Sequence, residues 1–228
     1  KIFDIGRTTR TSIYALMDII QEEKVEQLAL LREKADELDN GNGALMRIFP
    51  LYAFLQHQPL DTWLEYIWLH SALTHGHVRS AYCCFLYLRF CSFIADGHNK
   101  ENALRNARGE TEDLLQATQA SAKEWEVLQK ILTADFANLA RAQVQGSGYV
   151  VHCLEAALWS LFNADSYRTT VLQAVNLGQD TDTTACVAGA PAALLYGAEA
   201  IPANWLATLA RREDIIGLGA RLHAAFSR

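Results

Sequence analysis

Apolar residues recur at helical spacing along most of this chain, and no alternating run is long enough to suggest a strand. Leu64, Ile67, Trp68 and Ala72 follow the i, i+3, i+4, i+8 pattern of one helix face, and Asp61 is placed to cap that helix. Val151, Leu154, Leu158 and Leu161 form a second stripe, with Val150 and Ala157 beside it. Residues 11–38 predict a helix that is interrupted near Glu22-Glu23-Lys24 and resumes at Val25. Residues 81–95 predict an apolar helix, 100–106 and 110–120 two polar ones, and 124–138 a partly amphipathic segment. Asp165 or Ser166 caps a helix carrying Val171, Ala174 and Val175. A helix of small residues follows Asp180; Pro191 should kink or shorten it, and Gly197 should end it. Asn204 opens the last helical region, which ends at Phe226. Asp39-Asn40-Gly41-Asn42-Gly43, Pro50, Pro59 and Gly146-Ser147-Gly148 supply the breaks. The pattern predicts one compact all-α domain over residues 1–228, with no repeat and no low-complexity linker.

Composition narrows the function. Half of the 228 residues are hydrophobic, so a sizeable core can form. Net charge is −6 and no basic cluster is longer than Arg211-Arg212, which argues against an extended nucleic-acid surface but leaves room for a substrate carrying phosphate. Residues 81–95 are too few to span a bilayer and carry Arg89 at their middle, which favours a buried helix over a membrane partner. The five cysteines are odd in number and contain no CxxC pair; four sit in apolar helical contexts, the pattern of reduced, buried thiols in a cytoplasmic protein. The chain begins at Lys1 without a signal-peptide pattern, and further residues are expected upstream.

The densest chemistry is Leu177-Gly178-Gln179-Asp180-Thr181-Asp182-Thr183-Thr184. Hard oxygen donors at i and i+2 suit Mg²⁺ or Mn²⁺. Asp180 is expected in the loop, with Asp182 and Thr183 opening the helix so that all three face one ion. The plainer alternative is an ordinary helix N-cap. Four other loops carry polar groups beside glycine. Gly41-Asn42-Gly43-Ala44-Leu45-Met46-Arg47 is either a ligand-approach loop or a helix C-cap followed by a surface arginine. Thr74-His75-Gly76-His77 favours a ligand-contact or structural role over zinc, given the hard donors elsewhere. Gly146-Ser147-Gly148-Tyr149 precedes a helix whose N-terminus would favour phosphate, with Tyr149 available to stack; a generic linker is the alternative. Asp4, set between Phe3 and Ile5, is either a general base with a pKa raised by burial or a helix cap.

Taken in order, these segments resemble the ADP-ribosylglycohydrolase family. The resemblance rests on Phe3-Asp4-Ile5-Gly6, Asn42-Gly43-Ala44-Leu45-Met46-Arg47, Thr74-His75, Gly146-Ser147-Gly148-Tyr149-Val150 and residues 174–183. It implies a compact all-α fold with a dinuclear Mg²⁺ or Mn²⁺ site, and hydrolysis of the bond between ADP-ribose and a protein side chain or a related conjugate. On that basis Asp180, Asp182 and Thr183 would ligate metal. Asn42, Gly43, Met46 and Arg47 would line the ribose and pyrophosphate path. Ser147, Gly148 and Tyr149 would serve the phosphate and adenine end, with His75 beside them, and Asp4 would activate water. The family's Thr-Asp-Asp type motif, which supplies further metal carboxylates, would lie upstream of Lys1. Gln179 stands where the family has a second glycine. The alternative function is a non-catalytic ADP-ribose-binding or structural relative, as in a lens crystallin resembling this family.

Overall fold

The computed structural model describes residues 6–33 and 35–226. Among them the chain forms twelve α-helices. α1 (Arg7–Gln21) and a 3₁₀ segment (Val25–Arg32) come first, then α2 (Gly43–Arg47), α3 (Tyr52–Leu55) and α4 (Trp63–Ala72). α5 (Val78–Ala95), α6 (Lys100–Ala117), α7 (Ala122–Thr133) and α8 (Val150–Phe162) follow. α9 (Tyr167–Val175), α10 (Thr181–Tyr196), α11 (Ala203–Thr208) and α12 (Arg212–Phe226) complete the chain. Among the described residues there is no strand, only an isolated antiparallel bridge between Gly41 and Tyr149.

α5 is the axle, with α4, α6, α8 and α10 all packed on it. It is long and apolar enough by composition to cross a membrane, yet 78% of it is buried inside the protein, as expected of a core helix. It starts three residues earlier than the apolar run suggests, because His77 Nδ1 accepts the Arg79 N–H at 3.1 Å and caps it. Its charges are neutralised in place: Arg79 pairs with Glu124, and Arg89 with Glu110.

Several boundaries differ from the sequence pattern for identifiable reasons. Residues 100–120 hold one helix, not two. Ala103, Ala107, Thr111 and Leu115 make an unbroken buried stripe along α6, and Gly109 in its middle faces open space. The piece after α1 is 3₁₀, entered through Glu23 at φ 55°. The last region breaks between α11 and α12, with Arg211 at φ 56°. Asp61 lies in a 3₁₀ turn and makes no side-chain cap, and the buried face of α4 is Trp63, Ile67, Ser71 and Ala72. Ser166 caps α9, which buries Thr170 and Ala174 while Val175 stays exposed.

Pro191 does not shorten α10, which runs through it to Gly197. Proline has no N–H to give the carbonyl four residues back, here that of Val187. The buried Tyr87 hydroxyl on α5 donates to that carbonyl at 3.0 Å, so the α10 core contact repairs the gap in its own ladder. Tyr87→Phe should cost about 1.5 kcal/mol and lower Tm by roughly 3–6 °C. Adding Pro191→Ala, which restores a donor, should recover most of the loss in thermal melts.

Candidate functional site

Three loops are stitched together by backbone bonds at the N-termini of α2, α8 and α10. Asn42 N–H donates to the Gly148 carbonyl at 2.9 Å, Val150 N–H to Asn40 at 3.1 Å, and Asp180 N–H to Gly146 at 2.8 Å. Gly146 is required there: a Cβ would sit 2.9 Å from the Gly178 carbonyl oxygen. Gly178 and Gln179 then turn the chain with φ of 84° and 62°. Gln179 therefore holds a left-handed conformation that a glycine would adopt without strain.

Asp180 stands at the N-cap position of α10 but does not cap it with its side chain. Its backbone carbonyl instead accepts from Thr184 N–H at 3.1 Å and from the Thr184 hydroxyl at 2.8 Å. The carboxylate is turned away and held by the Asn42 amide, Nδ2 to Oδ2 2.7 Å. Asn42 is buried, and its neighbour Cys153 is buried beneath the junction with its thiol pKa pushed up to about 12 by burial. Asp182 is exposed in the first turn of α10. Thr183 is buried with its hydroxyl directed at Met46 Sδ, 4.0 Å away. Two carboxylates and a hydroxyl thus straddle one helix start. The donors are hard oxygens, which fit Mg²⁺ or Mn²⁺ and not a soft ion. Among the described residues no group of three His, Cys, Asp or Glu gathers to hold a metal.

The other predicted residues divide into two groups. Gly148 stands beside Asp180, since an added Cβ there would lie 3.5 Å from Asp180 Oδ2, and Ser147 and Tyr149 flank it along the chain. Ser147 Oγ is 2.8 Å from His152 Nδ1, and Tyr149 meets His152 edge-on at 5.0 Å. One backbone donor at the α8 start is already taken, since Val150 N–H serves Asn40. Met46 is exposed and reaches the site through Thr183. Arg47 and His75 are held by bonds to their own surroundings. The exposed Arg47 guanidinium donates to the carbonyls of Gly43, His70 and Ser71 at 2.9, 2.9 and 3.3 Å, which ties it to the loop and to the end of α4. His75 is buried behind the loop, its ring against Gly41 and Gly43 and its Nδ1 2.8 Å from Thr74 Oγ1. Asp4 lies outside the described residues. Thr184 belongs to the segment that the sequence marked, but its task of anchoring the Asp180 carbonyl was not read from it; Arg79 behind Tyr149 carries no mark in its local pattern.

Burial pushes the His75 imidazole down to about 4, with the Arg47 charge adding to the effect. The unfolded chain takes up this proton near pH 6.5 and the folded chain only near 4. The stability is therefore fully present above pH 6.5 and falls by roughly 3 kcal/mol as pH drops to about 4. His77 and His152 shift the same way, also through burial. Urea unfolding at pH 7 and 4.5 should show the parent losing about 2–3 kcal/mol more than His75→Gln between the two.

A profile of the ADP-ribosylglycohydrolase family matches residues 1–228. The chain belongs to that family. Its similarity to a Pseudomonas putida ADP-ribosylarginine hydrolase is 28% identity over 97% of this chain and 54% of that protein. The ADP-ribosyl-[dinitrogen reductase] glycohydrolase of Rhodospirillum rubrum is 29% identical over 76% of this chain and 52% of its own length. The chain thus spans about half the length of the curated relatives it matches. A solved ADP-ribosylglycohydrolase-related protein complex superposes with a TM-score of 0.73 at 26% identity, covering 96% of this chain and 69% of that one. The family fold is therefore the fold observed, and the junction of the 40–43, 146–150 and 178–184 loops is its candidate site.

Proposed function

We propose that this protein is a metal-dependent glycohydrolase that releases ADP-ribose from a modified protein side chain. The observation that carries the reading is the Asp180 carboxylate, released from helix capping and aimed by the buried Asn42 amide at the junction of three glycine-bearing loops. Asp180, Asp182 and Thr183 would hold Mg²⁺ or Mn²⁺, which when bound supplies Lewis acidity and orients the ribose hydroxyls. Asn42 fixes the direction of Asp180. Gly148 keeps the wall beside that carboxylate low, so that a sugar can approach, and Ser147 and Tyr149 flank the phosphate and adenine end. Asp4 remains the candidate that draws a proton from water at the anomeric carbon. The names of the bacterial relatives make ADP-ribosylated arginine the first acceptor to test. A cytoplasmic setting belongs to the same proposal and rests on five free thiols.

A second reading is a binding protein without turnover. It is favoured by one observation: among the described residues no third ligating side chain gathers with Asp180 and Asp182. Incubating the protein with an ADP-ribosylated arginine peptide, in Mg²⁺ and in EDTA, separates the two by chromatography of released ADP-ribose. Release in Mg²⁺ alone is the expected result. Peptide binding without release would establish the second reading, and release undiminished by EDTA would remove the metal from the first.

A further inference from the structure

The start of α8 is backed by an ion pair that the proposed chemistry does not use. Arg79 and Glu124 are 3% and 5% exposed, and they bond in bidentate fashion, Nε to Oε2 2.9 Å and Nη2 to Oε1 2.6 Å. Arg79 is the second residue of α5 and Glu124 the third of α7. The same guanidinium lies over the Tyr149 ring, 5.8 Å from its centroid. Tyr149 is the N-cap residue of α8, and its ring meets His152 edge-on. Glu37 lies 3.8 Å from Arg79 Nη2, and Lys123 pairs with Glu37 at the outer edge. Three helix N-termini therefore meet at one buried cation.

Burying such a pair is costly, and an apolar pair of similar volume often serves stability as well or better. What an apolar pair cannot do is hold a planar, charged fork against an aromatic face. We infer that the Arg79–Glu124 pair is a positioning device that fixes the plane of Tyr149 for the adenine-phosphate end of the ligand. The path is short. Tyr149 follows Gly148, whose carbonyl takes the Asn42 N–H, and the Asn42 side chain holds Asp180. Arg79 acts through Tyr149 and touches no ligand. The inference rests on the proposed ADP-ribose site, so its test needs one readout that does not depend on ligand.

The informative variants are Arg79→Lys, which keeps charge but loses the fork, and the paired Arg79→Met with Glu124→Met, which keeps volume without a buried charge. Tyrosine ring ¹³C NMR, with Tyr149 assigned by Tyr149→Phe, reports the ring directly. The Tyr149 resonance should shift in both variants while circular dichroism stays that of the parent. ADP-ribose affinity by calorimetry in Mg²⁺ should fall about tenfold in Arg79→Lys. Adding Tyr149→Leu to Arg79→Lys should cost no more than Tyr149→Leu alone. An unmoved Tyr149 resonance would overturn the inference, as would additive losses of affinity. A shifted resonance with a parent protein that does not bind ADP-ribose would uphold the positioning of Tyr149 and discard the ligand reading of the site.

Discussion

Asp182→Asn is expected to lower Mg²⁺-dependent affinity for ADP-ribose, and turnover with it, by about 100-fold or more. The fold should be nearly untouched, because Asp182 is exposed on the first turn of α10. Surface changes of that kind usually stay within about 0.5 kcal/mol. Asparagine keeps the volume and one oxygen donor but removes the charge that a hard cation requires. The neighbouring carboxylate behaves differently. Asp180→Ala should abolish the same binding and also destabilise by about 1–3 kcal/mol, because it strands the buried Asn42 amide that Asp180 accepts. The contrast is itself diagnostic. On the proposed reading one aspartate would serve the ion alone, and the other both the ion and the closure of two loops. Calorimetric titration and thermal melts of both variants check the pair of expectations, and Asp182→Asn binding at parental strength would remove it from the metal shell.

Gly43→Ala is the second large effect, and it acts on the fold of the site. A Cβ on Gly43 would lie 2.6 Å from His75 Cε1 and 3.2 Å from Nε2. The ring cannot simply retreat: His75 is buried, its Nδ1 is engaged by Thr74, and its backbone carbonyl accepts the Ser71 hydroxyl. The loop must move instead, which stretches the Asn42-to-Gly148 bond and swings the amide away from Asp180. Overpacking of this size costs about 2 kcal/mol, a fall in Tm of roughly 4–8 °C for a chain of this length. Affinity for ADP-ribose should fall alongside it. The paired change Gly43→Ala with His75→Ala should recover much of the stability by removing the ring that the new methyl strikes. Recovery absent from thermal melts of the double variant would show that some other contact makes Gly43 necessary.

How legible was this in the sequence? The helix stripes were, because apolar spacing survives tertiary packing: Leu154, Leu158 and Leu161 are all buried on α8 as their spacing required. The joints were less so. Whether Gly109 breaks α6, or Pro191 breaks α10, depends on neighbours remote in sequence. The Tyr87 hydroxyl that rescues Pro191 lies on another helix. The same division holds at the site. Glycines and short polar residues marked the three loops that meet, since turn chemistry is local. Asn42 was marked but its task was not: that it holds Asp180 depends on a contact 138 positions away along the chain. Arg47 read as a ligand group from its place after a glycine loop; that its guanidinium also ties three backbone carbonyls together depends on His70 and Ser71, remote in sequence. Arg79 and Glu124 carried no local signature at all, being matched only across α5 and α7.

The most direct test of the proposed site is calorimetric titration of ADP-ribose into the parent protein, once in Mg²⁺ and once in EDTA. Binding in Mg²⁺ that is lost in EDTA, and lost again in Asp180→Ala with Mg²⁺ present, is the expected result. Binding of equal strength in both buffers, or none in either, would contradict a metal-assembled ADP-ribose site at Asp180.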